Sequence, residues 1–134
     1  MIRLHEEDSL FEVLARIAAA RISGCDLFIS APRDLDSPTA EFLVSEEGRR
    51  FLNDATVHSE SDEDVIRAIG KIQRIRYAAD RRVPEAVLAA AATTGFYIAR
   101  SPVLMEGRIE MLHYIVNQSI CDDYHRYGNL GDRA

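Results

Sequence analysis

The sequence predicts a single α/β domain in which a mostly parallel sheet lies between two layers of helices. Short apolar runs alternate with helical segments of about ten to fifteen residues, the order expected of βαβ units. The chain has 134 residues, a usual length for one domain. Hydrophobic residues make up 47% and charged residues 28% of it, which is close to the average for globular domains and far from a disordered composition.

The first helix is predicted over residues 8–24 because apolar residues recur there at helical spacing. The apolar positions are Leu10, Leu14, Ile17 and Ala18. Ser9 lies three residues before Glu12, which is the spacing of a capping box. The apolar run over residues 25–31, closed by Pro32, is typical of a buried strand.

The bounds of the later elements are predicted from residues that typically begin or end helices. Ser37 followed by Pro38 begins a helix, and acidic residues after Ser61 favour another helix start. Pro84 opens an alanine-rich helix that Gly95 closes. Helices are therefore predicted over residues 8–24, 37–52, 61–70, 85–94 and 108–118, and strands over residues 25–31, 55–58, 74–78 and 96–99. This order describes a small Rossmann-like three-layer sandwich.

Three interpretations concern what is buried and what is exposed. The last helix is predicted to bury an apolar face made of Ile109, Leu112, Ile115 and Val116. The basic stretch over residues 74–82 is interpreted as part of a strand followed by a turn, because arginines alternate there with apolar residues. The pairs Glu6-Glu7 and Glu46-Glu47 are interpreted as solvated charges.

Charge and cysteine content exclude several classes of protein. Lys and Arg total 16 against 22 Asp and Glu, a net charge of −6, whereas proteins that bind nucleic acid normally show a basic face. The longest apolar stretch, residues 87–92, is far too short for a transmembrane helix, and no signal segment opens the chain. Two distant cysteines, Cys25 and Cys121, fit a reduced setting. We therefore expect a soluble cytoplasmic protein.

No catalytic, cofactor or metal site is predicted within this chain. Residues 31–38 join a strand to a helix without the glycine-rich turn that binds a dinucleotide. Cys25 begins an apolar strand, and the acidic neighbours of Cys121 disfavour a thiolate. The histidines lack the i, i+4 spacing of a helical metal site. The alternative that stays open is an autonomous small nucleotide-binding module or enzyme.

The C-terminal segment has the composition of a protein interface. Two tyrosines, a histidine and an arginine are adjacent over Tyr124–Tyr127, and these residue types are enriched at interfaces and their hot spots. The chain is accordingly divided into an accessory domain over residues 1–118 and a docking motif over residues 119–134. The segment could instead cap its own domain. An isolated domain without its partner is also expected to self-associate.

This segment resembles the C-terminal region of the proline utilization A family, the bacterial bifunctional enzymes of proline catabolism. The similar residues are Arg100–Tyr114, Gln118-Ser119-Ile120 and Tyr124–Gly131, which reads YHRYGNLG. Residues 18–30 are similar to the helix and strand that open the same region, and residues 32–82 match only in their pattern of elements. The acidic stretch Cys121-Asp122-Asp123 departs from the expected pattern.

The resemblance implies a non-catalytic role. In that family one polypeptide carries an FAD-dependent proline dehydrogenase barrel and an NAD-dependent L-glutamate γ-semialdehyde (1-pyrroline-5-carboxylate) dehydrogenase, joined by an internal tunnel. The implied domain is similar to the nucleotide-binding domain of aldehyde dehydrogenases but holds no cofactor. Its partners would be the two enzymatic modules, on which it would pack to close the tunnel or support assembly. The implied docking residues are Gln118, Ser119, Tyr124, His125, Arg126, Tyr127, Gly128 and Asn129.

Overall fold

A computed structural model describes residues 1–53 and 55–115. These residues form five strands, β1 (Ile2–Arg3), β2 (Ile29–Ala31), β3 (Val57–Ser59), β4 (Ile75–Arg76) and β5 (Ile98–Ala99). The α-helices are α1 (Leu10–Ile22), α2 (Pro38–Val44), α3 (Glu46–Leu52), α4 (Asp62–Ala68), α5 (Glu85–Thr94) and α6 (Gly107–Met111), and a 3₁₀ turn spans Asp80–Arg82.

The described strands form one parallel sheet in the order β3-β2-β1-β4-β5. Ile2 of β1 is opposite Ile29 of β2 on one side and Arg76 of β4 on the other. The first strand of the chain therefore lies in the middle of the sheet. The prediction of a Rossmann-like α/β fold with a parallel sheet is confirmed.

Two apolar clusters lie between the sheet and its two layers of helices. The first joins β1 and β2 to α1, α2 and α3, and its buried members are Ile2, Leu4, Val13, Ile17, Ala20, Ile29, Ala31, Leu43 and Leu52. The second joins β4 and β5 to α4 and α5, and its buried members are Val65, Ile75, Tyr77, Val83, Val87, Ala91 and Ile98. Helix α6 packs against α1, on the face of the first cluster.

The helix starts that the sequence marked most clearly are confirmed. The Ser9 hydroxyl accepts from the Glu12 amide at 3.2 Å, and the Glu12 carboxylate accepts from the Ser9 amide at 2.8 Å. Ser61 and Asp64 cap α4 in the same reciprocal way. Helix α5 has the predicted bounds and ends at Gly95, whose φ of 68° is left-handed and favours glycine.

The predicted helix over residues 37–52 is wrong in its middle, because Ser45 divides it into α2 and α3. The Ser45 hydroxyl donates to the carbonyl of Phe42 at 2.6 Å and accepts from the amide of Gly48 at 3.1 Å. One side chain thus ends one helix and caps the next. Strand β1 was missed altogether, since two residues are too few to show a period of two.

Two further predictions need correction. Residues 74–82 contain the predicted strand and turn as β4 and the turn Asp80–Arg82, but β4 is shorter than predicted and lies between β1 and β5. Strand β2 begins at Ile29 and not at Cys25, so the half-buried Cys25 precedes the strand. Helix α6 ends at Met111, whereas the predicted helix continued to Gln118, beyond the described residues. Among the described residues, no helix has the length and apolar character needed to cross a membrane.

Candidate functional site

The direction of the chain across the sheet reverses between β1 and β4. In doubly wound folds, ligands bind in the crevice at the carboxyl ends of such strands. Here the loop after β1 runs from Leu4 to Asp8 and contains no glycine, and the segment after β4 leads to the turn Asp80–Arg82. This crevice is therefore the candidate ligand site of the fold.

Asp8 occupies the crevice and is surrounded by cations of the same chain. Its carboxylate accepts from the Arg16 guanidinium, from Arg82 Nη1 at 2.8 Å and from the backbone amide of His5 at 3.1 Å. All three charged side chains are buried. A buried carboxylate requires such partners, because water is excluded from it.

Two glutamates extend this ion cluster towards solvent. Arg82 Nη1 donates to Glu12 Oε1 at 3.0 Å, and Arg81 Nη2 donates to Glu7 Oε2 at 2.6 Å. Burial acts to raise the pKa of Glu12, but hydrogen bonds from Ser9 and Arg82 outweigh it and hold the pKa below its ordinary value. The hydrogen bond from Arg81 lowers the pKa of Glu7. The crevice is thus filled by the chain's own paired charges.

A shallow groove of about 410 Å³ lies beside the crevice, at the carboxyl ends of β1, β2 and β3. Arg3 lines it but is held by the Ser30 hydroxyl at 2.8 Å and by Asp62 Oδ1 at 3.0 Å. The acidic residues along the groove are Glu6, Asp34, Glu60 and Asp62. A phosphate group would meet these carboxylates and would not find a free helix N-terminus behind a glycine turn.

A second cavity of about 540 Å³ lies at the opposite side of the sheet, near the amino ends of β1, β2 and β4. Met1, Cys25, Lys71 and Arg74 line it, and the Cys25 thiol donates to the carbonyl of Tyr114 at 3.2 Å. The thiol therefore has a backbone partner and joins residues 89 positions apart. This contact gives Cys25 a structural partner, and the expectation that it is not a nucleophile stays a prediction.

A buried ion pair fixes α6 to the sheet. The Glu110 carboxylate accepts from Arg76 Nε at 2.8 Å and from Arg76 Nη2 at 2.6 Å, and the Tyr114 hydroxyl donates to it at 3.3 Å. Arg76 Nη1 also donates to the carbonyl of Ser101 at 2.7 Å. Burial and then the neighbouring Arg76 charge lower the pKa of His113.

The apolar face predicted for this last helix is wrong. Glu110 points inward and is 2% exposed, whereas the apolar side chains around it face outward. We call this exposed set the α6 surface; its members are Leu104, Met105, Ile109, Leu112 and Ile115. The attraction between Glu110 and Arg76, which periodicity alone does not reveal, decides which side of the helix is buried.

Sequence reasoning missed the ion cluster and the Arg76–Glu110 pair, although one signal was present. Arg16 occupies the buried stripe of α1 with Val13, Ile17 and Ala20, at helical spacing. A cation in such a stripe implies a buried acidic partner. Glu6, Glu7, Glu46 and Glu47 are exposed, as interpreted.

The eight docking residues predicted over residues 118–129 lie outside the described residues, as does the boundary at residue 118. Within residues 1–53 and 55–115, no three His, Cys, Asp or Glu side chains are grouped so that they could hold a metal ion. Comparison with protein-family models, curated proteins and solved structures finds no match to this chain.

Proposed function

We propose that the chain is a non-catalytic domain of a bifunctional proline-catabolic enzyme that converts proline to glutamate. It packs on the aldehyde dehydrogenase module and closes the tunnel between the two active sites or supports their assembly. FAD and NAD bind to the other modules of this cytoplasmic enzyme. Closure excludes bulk water from a cavity that holds a reactive aldehyde.

The occupied crevice is the observation that carries this proposal. Asp8, Arg16 and Arg82 fill the place in which a doubly wound sheet usually binds its ligand. Opening it for a nucleotide would take from two buried guanidinium groups the Asp8 carboxylate that they share, which is costly. A sheet whose ligand crevice is closed by its own charges is suited to packing and not to catalysis.

The C-terminal segment supports the same proposal through its sequence. The run Tyr124–Gly131 resembles the terminal motif of the proline utilization A family and supplies aromatic rings and a guanidinium for an interface. It follows a domain in which no active-site motif is predicted. Docking of this motif on the dehydrogenase module would couple the accessory domain to the tunnel.

The test follows NADH formation from proline by the parent enzyme with and without residues 119–134, together with the rate on added semialdehyde. A longer lag with the second activity intact supports tunnel closure. Loss of the second activity supports a role in assembly. Unchanged lag, rate and assembly would contradict the proposal.

A matched pair of point variants separates the motif from the rest of the tail. Arg126→Ala lies within the YHRYGNLG run, and Arg133→Ala removes the same side chain outside it. We expect a lag with the first variant and none with the second. Calorimetry with NAD and with ATP tests the rival nucleotide-binding function, because micromolar binding by the chain alone would favour that rival.

A further inference from the structure

Residues 107–115, which we call the 107–115 segment, are attached to the rest of the domain mainly by polar contacts. In the described chain, the buried members of both apolar clusters lie between Ile2 and Ile98, so the segment supplies none of them. Its Tyr114 packs against the first cluster but is only partly buried. Detachment of the segment would therefore leave both clusters with all of their buried members.

The polar contacts join the segment to residues on or beside β4. The Glu110 carboxylate accepts from two nitrogens of Arg76, and Arg74 donates to the carbonyl of His113. Such contacts exchange with contacts to water when a segment opens, so their net contribution is modest. Opening also returns Arg76 and Glu110 to water together, and it leaves no buried charge without a partner. A local opening of this segment is thus separable from global unfolding.

His113 is the residue of the segment whose charge changes near neutral pH. Its ring is half-buried, and its Nε2 atom is 2.9 Å from the hydroxyl of Ser101, in the loop after β5. The neutral ring and this hydroxyl share a hydrogen bond. The imidazole therefore adds a contact between the end of the segment and the sheet.

The charges that act on His113 come from β4, from the residue before it and from α6. Arg76 and Arg74 oppose a positive charge on the ring, and Glu110 favours one. Glu110 is already bound to Arg76 through both of its oxygens. Arg16 of α1, the helix on which α6 packs, is held in the ion cluster. A proton on His113 would thus add a third cation beside two guanidinium groups that share one carboxylate.

We propose that His113 is a proton-sensitive latch of the 107–115 segment. The neutral ring holds the segment on the sheet through Ser101. The protonated ring is repelled by Arg74 and Arg76, and the segment detaches while the sheet and the other helices stay folded. In the detached state the ring lies in water, where the added charge is solvated. This inference is independent of the proposed function.

Release of the segment changes the cavity at the amino ends of the strands. Tyr114 and Cys25 both line this cavity of about 540 Å³, and the Cys25 thiol donates to the carbonyl of Tyr114 at 3.2 Å. Detachment removes Tyr114 from the cavity wall and frees the thiol. The latch therefore controls access to this cavity and to Cys25.

The test measures hydrogen exchange of backbone amides in the 134-residue chain between pH 7 and pH 5, with each rate divided by the intrinsic rate at the same pH. The amides of Leu112 and Tyr114 report on the segment, because each donates to a backbone carbonyl within it, and the amides of α5 are the reference. The variant is His113→Gln. The matched control is His58→Gln, because His58 lies on the edge strand β3 and stacks on Phe28. Circular dichroism establishes that each variant is folded.

We expect protection of the segment to fall as the pH falls, by up to about tenfold per pH unit, which is the limit for uptake of one proton. Protection of α5 should stay constant. His58→Gln should behave like the unmodified chain, and His113→Gln should show no fall in the segment. An equal fall in the segment and in α5 would overturn the inference, because it indicates global unfolding. Constant protection of the segment, or the same fall in His113→Gln, would overturn it as well.

A measurement on the unmodified chain keeps the inference testable if His113→Gln does not fold. Maleimide labelling of Cys25 is followed by the mass of its peptide and is divided by the rate for the unfolded chain at the same pH. The ratio should rise over the pH range in which nuclear magnetic resonance shows the His113 ring to gain its proton. A ratio that stays constant through this range would overturn the inference.

Discussion

The Arg76 guanidinium on β4 forms a two-point ion pair with the Glu110 carboxylate on α6, at 2.8 Å and 2.6 Å, and both side chains are buried. This pair joins the interior of the sheet to the last described helix, 34 residues along the chain. It explains why Glu110 is buried in α6 while the neighbouring Ile109 is exposed. The pair therefore orients the α6 surface.

Replacing Glu110 with alanine is expected to lower the free energy of unfolding by about 3–5 kcal/mol, because Arg76 would remain buried without its partner. Urea unfolding measures this change. Glu46→Ala is the control, since Glu46 and Arg50 form an ion pair in which both side chains are 75% exposed. Exposed pairs contribute at most about 1 kcal/mol. Similar losses for the two variants would contradict a structural role for the buried pair.

Replacing Asp8 with alanine is expected to cost about 3–5 kcal/mol as well, because Arg16 and Arg82 would lose their shared carboxylate. Glu7→Ala, which removes the partner of the exposed Arg81, should cost much less, because solvent screens exposed ion pairs. Unfolding at low and high salt provides the check. Salt should reduce the effect of Glu7→Ala and leave that of Asp8→Ala largely unchanged, because buried pairs are poorly screened.

Replacing Gly48 with alanine is expected to destabilise the protein by about 1–3 kcal/mol, although alanine usually favours a helix. A Cβ atom at Gly48 would overlap the carbonyl of Phe42 and lie 2.8 Å from Cα of Leu43, and these backbone atoms have little room to move. Gly107→Ala is the matched control, because a Cβ atom there meets nothing within 4 Å. Thermal melting should show a lower melting temperature for Gly48→Ala and an equal or slightly higher one for Gly107→Ala.

The protein is expected to lose stability as the pH falls from about 6.5, the ordinary pKa of histidine. Burial and the Arg76 charge hold the pKa of His113 below that value in the folded state, whereas the unfolded chain binds the proton more readily. Acid therefore favours unfolding through this group, and stability rises with pH across the window. The urea midpoint measured between pH 7 and pH 5 should fall less steeply in His113→Gln.

A second variant separates this effect from the titration of carboxylates. The pKa of Glu12 is lowered from 4.5, so its contribution to stability is lost only as the pH falls below about 4.5. Glu12→Gln should leave the dependence between pH 7 and pH 5 unchanged. An unaltered slope in His113→Gln would show that His113 does not cause the loss.

The elements that sequence alone determined are those whose signals are local. Ser9 with Glu12 and Ser61 with Asp64 specify the starts of α1 and α4 through side chains three residues apart, and Gly95 ends α5 because glycine tolerates a left-handed φ. The alternation of such helices with apolar runs sufficed to predict the parallel α/β fold. The docking motif over residues 119–134 stays a prediction, because it lies beyond the described residues.

Tertiary structure alone decided the features that depend on partners distant in the chain. Strand β1 becomes central only because β2 and β4 pair with its two edges. Asp8 is buried because Arg82, 74 residues later, meets it, and Glu110 is buried because Arg76 meets it. Local composition and periodicity do not reveal such pairings. Because an unpaired buried charge is costly, these ion pairs decide whether the crevice is closed and which side of α6 is exposed.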